Sequence, residues 1–133
     1  MSESIMADNA VNVSAESLET FVSGMFRHTG CSTSHAATVA RCLVLTNLWG
    51  IDSHGVLRVP EYLDRLRSGA TNPTPNIRTL KADSGLEVLD ADNGPGYVAA
   101  SAAMSRAIEI AEQDNIAAVG IINSNHCGAT ALY

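Results

Sequence analysis

The chain has 133 residues, 46% of them hydrophobic and 17% charged, which is enough apolar material for one domain with a real core and excludes a disordered tail or a salt-laced coiled coil. A formal net charge of −6 argues against a broad electrostatic grip on nucleic acid or anionic lipid, since such binding needs clustered cations to release counterions. Three cysteines, Cys31, Cys42 and Cys127, contain no C-x-x-C pair, so a disulfide framework is not expected and a reducing, cytoplasmic setting fits best.

Residues 1–13 are expected to be a disordered leader: Met1 to Ala10 mix Ser, Glu, Asp and Asn without the basic and apolar runs of an ordinary signal peptide. Residues 14–72 are expected to form a helical module. Ser14 can cap a helix whose apolar residues Leu18, Phe21, Val22, Met25 and Phe26 recur at helical spacing, ending near His28 before Gly30. Ser32 or Ser34 can cap a second helix with the stripe Ala36, Val39, Ala40, Leu43 and Val44, running on to Gly50, so the two make an antiparallel pair. Its densest apolar patch, Cys42 to Trp49, is interrupted by Thr46 and Asn47 and falls well short of the roughly 18 to 20 residues of a membrane span. Asp52-Ser53-His54-Gly55 then lies at a junction before a third helix. There Pro60 sits in the first turn, Val59, Tyr62, Leu63 and Leu66 face inward, and Glu61, Asp64, Arg65 and Arg67 face out.

Residues 73–133 read as the start of an α/β domain. Past the linker holding Pro73 and Pro75, Ile77–Ala82 and Leu86–Leu89 are strand candidates joined by a turn at Asp83-Ser84-Gly85. Asn93-Gly94-Pro95-Gly96 breaks the chain before a helix with a small-residue stripe of Ala99, Ala103, Ala107, Ile110 and Ala111, which Asp114-Asn115 ends. The nearly continuous apolar run Ile116–Ile122 predicts a central strand covered on both faces. No repeat or low-complexity tract is present.

The residues that could carry chemistry fall at two of these boundaries. Ser124-Asn125-His126-Cys127-Gly128 follows the carboxyl end of the apolar strand, where open α/β sheets present ligand-binding groups. An imidazole there can take and return a proton near neutral pH, as oxidation of an alcohol to a ketone requires; the competing role for His126 is a backbone hydrogen bond at the strand end. Arg58, four residues after His54, offers a planar, permanently charged fork suited to a carboxylate, the competing role being a surface pair with Glu61. His28 and His35, at helix ends, suit capping or dipole roles. A metal site from Asp52, His54, His126 and Cys127 matches no zinc spacing, so none is expected. Asn93-Gly94-Pro95-Gly96 lacks both the G-x-G-x-x-G spacing and a P-loop lysine, and reads as a turn.

Taken in order, Gly50-Ile51-Asp52-Ser53-His54-Gly55, Arg58-x-Pro60-x-Tyr62, Asp92-Asn93-Gly94-x-Gly96 and Ser124-Asn125-His126-x-Gly128 resemble the malate/L-lactate dehydrogenase family, over about residues 14 to 133. The resemblance implies a non-Rossmann fold of class α/β (α+β), with an amino-terminal helical module followed by the start of a mixed-sheet α/β domain. It implies a nicotinamide cofactor, NAD or NADP, interconversion of a small 2-hydroxy acid such as malate, lactate or ureidoglycolate with its 2-oxo acid, and a homodimer in full-length form. Carried over by position, His126 is the acid/base on the substrate oxygen, with His54 beside it in the catalytic site, and Ser53, His54 and Arg58 bind substrate. No nucleic-acid or membrane partner is implied. Two departures stand out. Cys127 occupies a position where an aromatic residue is common, and the family's members are considerably longer, with the groups that grip the dinucleotide lying mostly beyond Tyr133. The alternative expectation is therefore a catalytically silent module serving in assembly or binding a small acid.

Overall fold

The computed structural model describes residues 11–133; the expected leader lies, for Met1 to Ala10, outside them. Helix α1, Ala15–His28, begins where the Ser14 hydroxyl accepts the Ser17 N–H at 3.2 Å, and helix α2, Thr33–Leu48, begins where Ser32 does the same for His35 at 3.1 Å. Each serine satisfies an N–H that the first helical turn leaves without an intrahelical acceptor. Two single 3₁₀ turns, Asp52–His54 and Val56–Arg58, lead into α3, Val59–Arg67, with Pro60 in its first turn. Strands β1, Arg78–Asp83, and β2, Leu86–Asp90, form an antiparallel hairpin around Ser84-Gly85. The long helix α4, Gly96–Asp114, ends on Asn115 in a left-handed conformation and feeds β3, Ala118–Ile122.

The buried core belongs to the helices. Val22 and Phe26 of α1, Val39 and Leu43 of α2, and Leu63 and Leu66 of α3 close around Tyr97 and Val98 at the start of α4. Burial of each such side chain contributes roughly 1.5–3 kcal/mol. Phe21, counted in the apolar stripe of α1 by its spacing, is exposed instead. Cys31, Cys42 and Cys127 are all free thiols, the first two buried. No helix among the described residues is long and apolar enough to cross a membrane.

The sheet has the order β1-β2-β3, with β2 and β3 parallel and joined through α4. This corrects the expectation of a central, doubly covered β3: the middle strand is β2, and β3 lies at an edge with alternating exposure. An apolar run reports how much cover a strand is suited to, whereas its place in the sheet depends on which other strands are there to pair with it. Among the described residues only β2 pairs with β3.

Candidate active site

The residues after β3 turn back across the start of α4 and meet α3. Two glycines make this approach possible. A Cβ on Gly96 would run into the carbonyl oxygens of Asn125 and His126, and one on Gly128, whose φ is +76°, would run into the Tyr97 ring. The first site needs an absent side chain and the second needs both that and a left-handed backbone. Asn125 completes the seat. Its Nδ2 donates to the Asn93 carbonyl at 2.9 Å and lies 3.0 Å from the Gly94 carbonyl, while its Oδ1 accepts from Arg65 Nη2 at 2.7 Å. Asp92 and Asn93 both hold positive φ, a conformation that Asp and Asn tolerate better than most residues. The Asp92-Asn93-Gly94-x-Gly96 motif is thus a turn that docks the histidine loop.

On this seat His126 faces two segments of the helical module. Tyr62 Oη lies 2.7 Å from His126 Nδ1, and the His54 and His126 rings stand 5.7 Å apart between centroids, tilted by 33°. Ser53 Oγ is 2.9 Å from His54 Nδ1, and Arg58 Nε donates to the Ser53 carbonyl at 2.8 Å. Asn47, near the end of α2, orders this junction by accepting the Val56 N–H at 2.8 Å and donating to Asp52 Oδ1 at 2.5 Å. Ser53, His54, Arg58 and His126, chosen from sequence, therefore belong to one connected cluster. Arg58 Nη1 is engaged with Glu61 Oε2 at 3.0 Å, the surface pairing weighed against a carboxylate clamp.

A cavity of about 320 Å³ has Tyr62, Arg65, Tyr97, Ser124, Asn125 and His126 in its wall, while Ser53, His54 and Arg58 are not among its lining residues. Burial pushes the Tyr62 phenol upward, partly offset by the neighbouring Tyr97 hydroxyl and by the Arg58 charge, and burial pushes Tyr97 up more strongly. Both phenols keep their protons through the neutral range. Burial likewise raises the Cys31 and Cys42 thiols, which removes them as nucleophiles. Tyr97 and Arg65 lie outside the sequence motifs, while Tyr62 and Asn125 lie inside them without a role assigned there; the partners of all four lie far away in the chain. No cluster of metal-ligating residues occurs among the described residues.

A family model described as malate/L-lactate dehydrogenase matches residues 13–133. The chain belongs to this family. Among curated malate/L-lactate dehydrogenase relatives, the ureidoglycolate dehydrogenase (NAD(+)) of Escherichia coli K12 is 37% identical over 123 residues, which cover 92% of this chain and 35% of that protein. The malate dehydrogenase of Pyrococcus abyssi is 36% identical over 126 residues, 95% of this chain and 35% of the relative. The solved structure of malate dehydrogenase from Pyrococcus horikoshii OT3 superposes with a TM-score of 0.89 at 32% identity, covering 95% of this chain and 36% of that one. The chain thus spans about a third of the length of the relatives it matches.

Proposed function

We propose that this chain carries the substrate-binding and proton-handling part of a nicotinamide-dependent dehydrogenase acting on a small 2-hydroxy acid, with NAD or NADP as cofactor. The single observation behind this reading is that His126, from the loop after β3, stands against the Ser53-His54 segment near the middle of the chain, on which Arg58 also rests. His126 takes the hydroxyl proton in oxidation and returns it in reduction. Ser53 and His54 hold the substrate oxygens, and Arg58 exchanges Glu61 for the substrate carboxylate, whose two oxygens match the guanidinium fork. Malate, lactate and ureidoglycolate are the acids to test first. A homodimer is the expected assembly of the full-length form.

The described residues supply no dinucleotide cradle. The start of α4, the one helix that follows a glycine-rich turn after a strand, is closed against the carbonyls of Asn125 and His126, so no phosphate can approach its N–H groups. Cofactor binding is therefore assigned to the share of the relatives' length that this chain does not cover. That same closure favours a second reading, a catalytically silent module that serves in assembly or binds a small acid.

The two separate in one experiment. Nicotinamide fluorescence and turnover with malate, lactate and ureidoglycolate are measured for the chain as it stands and for a form extended past Tyr133. Turnover by the extended form alone supports the dehydrogenase reading; absence of turnover and of nicotinamide binding in both supports the silent module. In an active form, His126→Ala is expected to abolish turnover while sparing cofactor binding, and Arg58→Ala to raise KM for carboxylate substrates by about tenfold or more, the value of a lost charged hydrogen bond. Near-normal kinetics in both variants would refute the assignment.

A further inference from the structure

The two 3₁₀ turns that carry Ser53, His54 and Arg58 have little packing to hold them. No residue of Asp52–His54 or Val56–Arg58 is buried, and Val56 leans, partly covered, on the helical core. Single turns of this kind have poor internal hydrogen-bond geometry, so their position depends on what ties them to the rest of the molecule. Among the described residues, Asn47 is the one side chain of α2 that hydrogen-bonds to them. Its Nδ2 donates to Asp52 Oδ1 at 2.5 Å, at the start of the first turn, and its Oδ1 accepts the Val56 N–H at 2.8 Å, at the start of the second. Between these points lies the buried Gly55, where a Cβ would collide with the Asn47 amide. The amide therefore rests directly against the backbone that joins the two turns.

The other ties are weaker or purely internal. Arg58 Nε to the Ser53 carbonyl joins two residues of the segment itself, and the Ile51 N–H to the Thr46 carbonyl, at 3.0 Å, secures only its approach. The Tyr97 hydroxyl reaches the His54 carbonyl at 3.5 Å, the outer limit of a hydrogen bond. Resting on the assignment of Ser53 and His54 as substrate-binding groups, we propose that Asn47 is a positioning residue that, through Asp52 and Val56, holds the Ser53-His54 turn opposite His126.

The task is specific to an amide. A backbone N–H on one side needs an oxygen, a carboxylate on the other needs an N–H, and asparagine offers both from one planar group. Alanine at position 47 leaves the Val56 N–H without its acceptor, and aspartate sets one carboxylate against another. Exchanging the two residues restores the pattern: the amide at position 52 then donates to the carboxylate at position 47, whose second oxygen takes the Val56 N–H.

The test starts with backbone and histidine ¹⁵N spectra of the 133-residue chain, the His54 ring signals being identified by their loss in His54→Gln. Asn47→Ala should speed exchange of the Val56 amide by about threefold or more, the value of one hydrogen bond, and shift the His54 ring signals while the amide spectrum of α1 persists. Asn47→Asp should do the same, and Asn47→Asp combined with Asp52→Asn should recover both signals. Gly55→Ala should reproduce the Asn47→Ala spectrum by pushing the amide aside, and combining the two should add little, because the clash leaves with the amide. An unchanged Val56 amide and His54 ring in Asn47→Ala, or no recovery in the double exchange, overturns the proposal; the double exchange decides the matter even where Asn47→Ala fails to fold. In an active form, Asn47→Ala should lower kcat/KM of the folded enzyme by about tenfold, mainly through KM, with recovery to within about twofold in the double exchange. A purely structural role would reduce the folded fraction and leave kcat/KM of the folded enzyme unchanged. If the spectra respond as stated but Ser53→Ala and His54→Gln leave turnover intact, the substrate role of the turn fails, and the catalytic meaning of Asn47 fails with it.

Discussion

Phe26 and Leu80 are both large apolar side chains, yet Phe26 is 1% exposed within the helical core and Leu80 is 49% exposed on β1. The contrast extends to the elements that carry them. Helices α1, α2 and α3 close a core with the start of α4, whereas every residue of β1 is exposed and β3 is exposed at alternate positions. The helical core closes only with the help of α4, and Phe21, Leu48, Trp49 and Leu57 stay exposed on its surface. The sheet is held by backbone pairing, by α4 and by side-chain pairs such as Arg106 with Glu87 and Arg78 with Asp90, and it leaves apolar surface uncovered. The candidate site lies where the two regions meet, with His126 from the sheet side resting against Tyr62 from the helical side. The better-buried half thus sets Tyr62 against a histidine contributed by the less covered half.

Emptying the helical core tests this division most severely. Phe26→Ala should cost about 3–5 kcal/mol, the usual value for an aromatic removed from a core that cannot collapse around the gap. Measured by urea or thermal unfolding, such a loss would leave a 133-residue domain marginal or unfolded. A cost below about 1 kcal/mol would mean that the helical core does not carry the fold.

Acid should loosen the sheet before the helices. Glu87, nearly inaccessible on β2, is held below its ordinary value by the Thr79 hydroxyl and the Arg106 guanidinium. Asp90 is held down by the Asp92 N–H, the Asn123 amide and Arg78. Because both folded values lie below the unfolded ones, the stability they confer is present above the ordinary carboxylate range, near about pH 4, and is lost as the pH falls through it and beyond. Hydrogen exchange read at β1 and β2 amides should accelerate in acid ahead of exchange in α1 and α2. Glu87→Gln should lower stability at neutral pH and flatten its decline in acid; an unchanged acid profile would show that this pair does not hold the sheet.

The same division governs what the residue order discloses. Helix starts and stops are local: Ser14 and Ser32 cap, Pro60 opens α3, and Asn115 closes α4, each acting within a turn of its own position. The apolar run at Ile116–Ile122 announces a strand, but its neighbours come from elsewhere, so its edge position could not be read from the run itself. In the site, His126, His54, Ser53 and Arg58 were identifiable because they sit in motifs of fixed spacing. Tyr62 falls both on a buried helix face and in the Arg58-x-Pro60-x-Tyr62 motif, and Arg65 on an outer face, but neither pattern names a partner. Their hydrogen bonds to His126 and Asn125 join residues 64 and 60 positions apart, which no helical or strand period encodes.

The smallest effect is expected where the sheet is least covered. Ile116 is 76% exposed just before β3, so replacing it with threonine keeps the β-branched shape and removes little packing. Ile116→Thr should change stability by no more than about 0.5 kcal/mol in the unfolding assay that registers several from Phe26→Ala. The same substitution should also make the chain more soluble, because an exposed isoleucine beside an edge strand favours association between copies. A loss above about 2 kcal/mol would show that this end of the sheet is covered in solution, by a second copy or by a rearrangement of the chain. Repeating the measurement across a range of protein concentrations separates those two cases, since only a second copy makes the unfolding midpoint depend on concentration.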